Sequence, residues 1–68
     1  MKQRYDKEDD VLMIWFSHER VDHAQHSKQT VLHLSEDNKP VLLEILNASK
    51  FLKDSYSALA PRLRAAAA

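Results

Sequence analysis

Apolar and polar residues alternate along this chain in short blocks. The longest apolar run is Val11-Leu12-Met13-Ile14-Trp15-Phe16, with acidic residues before it and Ser17-His18 after it. A run of this length, partly β-branched and aromatic and bounded by turn residues, predicts a central strand covered on both faces. Val11, Met13 and Trp15 point one way and Leu12, Ile14 and Phe16 the other. Residues 2–6 alternate weakly and read as a short edge strand, joined to the central one by the charged turn Asp6-Lys7-Glu8-Asp9-Asp10. Residues 21–26 alternate loosely and suit a solvent-lapped strand. Thr30-Val31-Leu32-His33-Leu34 reads as a fourth strand, with Leu32 and Leu34 on one face and Val31 and His33 on the other.

The chain contains no glycine. Positions that need a positive φ must therefore fall to Asn, Asp or His. In the hairpin Ser35-Glu36-Asp37-Asn38-Lys39-Pro40, Asn38 is the expected left-handed residue. Pro40 then opens the fifth strand, at one of the few positions where a sheet accepts proline. In that strand Val41, Leu43 and Ile45 share one face, and Leu42 and Leu46 share the other with Glu44 between them.

Asn47 is placed to cap a helix, with Leu46 and Phe51 at the spacing of a hydrophobic staple. Ala48, Phe51, Leu52, Ser55, Tyr56 and Leu59 form its broad apolar face. Pro61 biases Ala60 away from the helical region, which predicts a helix end near Leu59. The expected fold class is α+β: an antiparallel meander of about five short strands with one C-terminal helix packed on one face. Residues 1–60 read as a single small domain and residues 61–68 as a tail. Its four alanines are either native or a cloning remnant and stay outside the functional reading.

At 68 residues, ten basic side chains balance ten acidic ones. A neutral chain lacks the excess positive charge of a nucleic-acid-binding domain. The basic group Lys50, Lys53, Arg62 and Arg64 reads as a solvated helix surface, and Tyr5, Trp15, Phe16 and Tyr56 read as core rather than as stacking platforms. No apolar segment has the length of a secretory signal or a membrane span, so a cytoplasmic protein without a membrane partner is expected. Without cysteine, neither disulfides nor thiolate zinc sites are available. A domain this small hides only about 60% of its unfolded surface. One short helix covers one sheet face, and the other still carries apolar side chains. An exposed patch of that kind marks an interface, so a homodimer, or a complex with another protein, is expected through that second face or a sheet edge, with Val11, Met13 and Trp15 or Leu12, Ile14 and Phe16 as the residues that carry it.

The segments Arg4-Tyr5-Asp6, Asp9 to Ile14, Val21-Asp22-His23-Ala24 and Val41 to Lys50 together resemble the YuzE-like family of small uncharacterised bacterial proteins, over about residues 1–54. The block Glu44-Ile45-Leu46-Asn47-Ala48-Ser49 carries the resemblance most specifically. The middle turn departs from the family, which often has Gly where this chain has Asp37-Asn38-Lys39. The resemblance implies a fold but no catalytic residues. Members sometimes encoded beside small toxin-like proteins imply an antitoxin-like role and a toxin-like partner, an association rather than a mechanism.

Chemical candidates are sparse. Of the four histidines, His18, His23, His26 and His33, only His23 and His33 are placed to meet across neighbouring strands, the one geometry open to a metal. Ser17-His18 and His26-Ser27 are local pairs without the third group that orients a base. Asp9-Asp10 and Glu36-Asp37 stand in charged turns with nothing to shift their pKa values. Without Gly there is no glycine-rich phosphate loop. No cofactor and no enzymatic activity are expected. The leading reading is a dimerising protein-protein interaction module; a metal-binding protein using sheet histidines comes second and a nucleic-acid binder third.

Overall fold

The computed structural model describes residues 1–67, with side chains as far as Arg62. Five strands, β1 (Lys2–Asp6), β2 (Val11–Trp15), β3 (His23–His26), β4 (Thr30–Leu34) and β5 (Pro40–Leu46), precede one helix, α1 (Ala48–Ala67). The strands form a single antiparallel sheet, and the chain is α+β with its helix at the C-terminal end.

The order across the sheet is β1-β2-β5-β4-β3. β1–β2 and β3–β4–β5 are each consecutive antiparallel runs, and β5 lies between β2 and β4. The reason lies in the β2–β3 connection. The Phe16 amide donates to the Val41 carbonyl at 2.8 Å, and the Asp22 amide to the Leu34 carbonyl at 2.8 Å. Residues 16–22 thus pass from β2 to the far edge along the end of the sheet, which leaves the inner edge of β2 free for β5. β5 is the longest strand and, like β2, carries apolar residues on both sides, so the central position removes much apolar surface from water there.

Three residues other than glycine have left-handed backbones: Asp10 (φ 53°), Asn38 (φ 62°) and Asn47 (φ 50°). Asn38 fulfils the expectation for the hairpin. Ser35 is buried, and its hydroxyl accepts the Lys39 amide at 3.1 Å. In the first turn, the Asp6 carboxylate accepts the amides of Glu8 and Asp9 at 3.0 and 3.3 Å.

Registers assign the two faces. Leu12 and Ile14 on β2 lie opposite Ile45 and Leu43 on β5, which in turn face Thr30 and Leu32 on β4. Leu34 and Val41 continue this first face. The buried apolar residues of the sheet, Leu34, Val41 and Ile45, all lie on it. The second face carries Val11, Met13 and Trp15 beside Leu46, Glu44 and Leu42, with Val31 and His33 beyond them. None of these is buried. β2 is therefore not covered on both sides: all five of its residues remain half-exposed.

The helix does not stop near Leu59. It continues through Pro61 to Ala67. Proline removes the hydrogen bond to the carbonyl four residues back and disfavours helix at the preceding residue, but it does not forbid it. The alanines beyond it are the strongest helix formers. The segment expected as a tail is thus helical through Ala67. A helix of 20 residues is about 30 Å long, longer than any strand here. The radius of gyration is 14.6 Å, against about 11 Å for a compact domain of this length. α1 packs on β5 and extends past the sheet.

Candidate interaction face

The entry to α1 is locked by a residue far away in sequence. Asn47 contributes its backbone carbonyl, which accepts the Phe51 amide at 3.0 Å. The capping carboxylate comes instead from Asp10. Its side-chain oxygens accept the Ser49 amide at 3.1 and 3.3 Å and the Ser49 hydroxyl at 2.7 Å, and its carbonyl accepts the Ala48 amide at 2.9 Å. The Tyr5 hydroxyl donates to the same carboxylate at 2.6 Å. Hydrogen bonds from Tyr5 and then Ser49 hold the Asp10 carboxyl below its usual pKa, and the bond to Asp10 raises that of the Tyr5 phenol. The expectation that nothing in the charged turn shifts a pKa is therefore overturned at Asp10. A negative group here also complements the helix dipole.

With its first turn fixed in this way, α1 divides the broad apolar face expected from the sequence. Ala48 is fully buried, and Phe51 and Ser55 are half-buried. Leu52, Tyr56 and Leu59 point outward, 51%, 66% and 52% exposed. Spaced by four and three residues, these three form one stripe along the helix.

The second sheet face also keeps apolar side chains in partial contact with solvent. Val11, Met13, Trp15, Val31, Leu42 and Leu46 surround a hydrogen bond between His33 Nε2 and a Glu44 oxygen, both half-exposed. Lys2 Nζ stands 5.8 Å from the centroid of the Trp15 ring at its rim, within reach of a cation–π attraction. Among the described residues no large side chain is fully buried. Tyr5, Phe16 and Tyr56, read from the sequence as core, are 49%, 46% and 66% exposed. The reason differs between them: Tyr5 is on an edge strand, Phe16 follows the end of β2, and Tyr56 lies on the outer stripe of α1.

The histidines do not converge. His23 lies opposite Leu34, whereas His33 lies opposite Ala24, so His23 and His33 project from opposite faces. Alternation within each strand assigns each histidine its face, but the register is one residue away from the one a shared site needs. His23 pairs instead with Asp22 at 2.8 Å. Among the described residues, no group of three or more His, Asp or Glu side chains is placed to hold a metal ion. A shallow polar groove is lined by Arg20, Val21, Asp22 and Glu36. A second groove, lined by Met1, Lys2, Trp15, Phe16, Ser17 and His18, continues the rim of the open face. Neither sets a nucleophile beside an oriented base.

Residues 2–49 match the family described as "Protein of unknown function (DUF2283)". The chain belongs to this family. The matched segment takes in all five strands and ends at Ser49, so it holds both partners of the Asp10–Ser49 lock, and most of α1 lies beyond it. The breadth of the match agrees with the resemblance over most of the chain. No curated protein and no solved structure matches the chain significantly. Among the described residues, no helix is long and apolar enough to cross a membrane.

Proposed function

We propose that this chain is a non-enzymatic association module that works by pairing with a second copy of itself. One observation carries the reading: the sheet face built of Val11, Met13, Trp15, Val31, Leu42 and Leu46 holds no buried residue, and each of these apolar side chains keeps some contact with water. Contiguous apolar patches of this kind mark association sites. Trp and Met are enriched at the centre of such sites, and charged groups are depleted there. His33 and Glu44, within this face, hydrogen-bond to each other, which lowers the cost of removing their polar atoms from water, while Lys2, Arg4 and Asp6 stand along its β1 edge.

Sedimentation of the full chain at micromolar concentration tests the proposal. A species of twice 7.9 kDa is expected. A monomer across the whole concentration range would refute it.

A further inference from the structure

The exposed stripe of α1 has a width and a charge pattern that together describe what fits it. Leu52, Tyr56 and Leu59 are spaced by four and then three residues, and each is more than half exposed. The sequence takes the same spacing one step further at Leu63. This four-three alternation is the repeat of about 3.5 residues that lines a helix–helix seam, with Leu52 and Leu59 at heptad positions d and Tyr56 at position a. Around the helix axis the three side chains span only about 60°. A helix that lies on an extended apolar surface presents a sector of about 100° or more, whereas a seam of a and d positions is narrower.

The borders of the seam are basic. Lys53 takes an e position and Arg62 a g position, about a quarter turn to either side of the stripe, and both are exposed. Asp54, the one acidic residue in the sequence of α1, lies on the far side of the helix, where Lys50 Nζ holds its carboxylate at 2.7 Å. Residues 48–68 hold four basic side chains and one acidic, and residues 1–47 hold six and nine. The formally neutral chain is thus +3 after Asn47 and −3 before it.

These borders decide which helix can lie there. Side chains at e and g face those of the partner across a seam and set partner choice. A second copy of α1 would bring only Lys53, Arg62 and uncharged residues to those borders, with no acid to pair them and like charges to repel. We infer that the Leu52–Tyr56–Leu59 stripe is a docking seam for one amphipathic helix of a different protein, apolar at its own a and d positions and acidic at its e and g positions. Ser55 and Ala60, the other g and e residues between Leu52 and Arg62, are small, so the partner's backbone can come close. The clamp of Asp10 on Ser49 fixes α1 in the orientation that leaves the stripe free. This surface is separate from the sheet face proposed for self-association, and neither reading depends on the other.

A synthetic three-heptad peptide with Leu at every a and d position and Glu at every e and g position serves as the probe, beside a twin with Lys in place of each Glu. Like charges keep each peptide from pairing with itself. Fluorescence anisotropy follows titration with the full chain. The Glu peptide is expected to bind about tenfold more tightly than the Lys peptide, since two attractive pairs replace two repulsive ones. A chain carrying Lys53→Glu and Arg62→Glu should reverse that preference. Both positions are exposed, so its circular dichroism spectrum should match the parent. A chain carrying Leu52→Asp and Leu59→Asp, with the parent spectrum, should bind neither peptide. Failure of the Glu peptide to bind, equal binding of both peptides, an unreversed preference, or binding that survives loss of both leucines would each overturn the inference. Flotation with phosphatidylserine vesicles by a chain that ignores the Glu peptide would also overturn it and assign the stripe to a lipid surface.

Discussion

The carboxylate of Asp10 caps the first turn of α1 through Ser49, across 39 residues of sequence. The turn between the first two strands is thereby tied to the exit of the fifth, and the direction of α1 follows from that tie. Asp10→Ala removes the cap and puts a Cβ-bearing residue without a compensating side chain at φ 53°. We expect the thermal midpoint to fall by about 4–8 °C, the shift that losing a typical cap produces in a domain of this size. An unchanged midpoint in differential scanning calorimetry would show that the cap contributes nothing.

The same contact sets a pH window. The Asp10 carboxyl is lowered from its usual value of 3.8, so its contribution is complete above that value and is lost as pH falls through the lower folded-state pKa. The Tyr5 phenol is raised from 10.0; its contribution is complete below that value and is lost as pH rises through the higher folded-state pKa. Tyr5→Phe should flatten the alkaline limb of a stability–pH curve measured by urea unfolding, since no phenol remains there to titrate. An alkaline limb of the same steepness would assign it elsewhere.

The two sheet faces should respond differently to truncation. Ile45 is 6% exposed and central, so Ile45→Val is expected to cost about 1 kcal/mol and Ile45→Ala about 2–5 kcal/mol. Leu42, half-exposed on the open face, should cost well under 2 kcal/mol when cut to Ala in dilute protein. If denaturant titration gave equal losses at both positions, the assignment of faces would be mistaken.

Trp15 anchors the open face. Trp15→Asp should leave the sheet folded and weaken pairing by at least about thirtyfold, roughly 2 kcal/mol, as for a buried aromatic anchor. Sedimentation across a concentration series reads this directly, and an unaltered dimer would exclude Trp15 from the contact.

Pro61 lies inside α1, where proline is about 3 kcal/mol less favourable than alanine. Pro61→Ala restores the missing hydrogen bond to the Ser57 carbonyl and should raise both helicity at 222 nm and resistance to heat. A fall in helicity would mean that the proline serves the helix in some other way.

Much of this architecture is legible from local pattern. β1, β4 and β5 occupy the segments expected of them, Pro40 opens β5, Asn38 takes the left-handed turn position, and α1 begins after Asn47. Each depends on neighbours a few residues apart: side-chain alternation, the fixed φ of proline, or the tolerance of Asn for positive φ in a chain without glycine. The stop expected before Pro61 failed because a bias at one residue competes with the propensities on both sides of it, and the alanines outweigh it.

Tertiary structure alone decided the rest. Which strand lies beside β2 depends on the path of residues 16–22, and alternation within a strand carries no information about its neighbour. The same gap separates His23 from His33: each face was readable, but the register between strands was not, and one step of register sends a side chain to the opposite face. The Asp10 cap and the outward turn of Leu52, Tyr56 and Leu59 likewise come from contacts between distant segments. Short-range chemistry selected the elements of this protein, and long-range pairing decided which of their apolar surfaces were left uncovered.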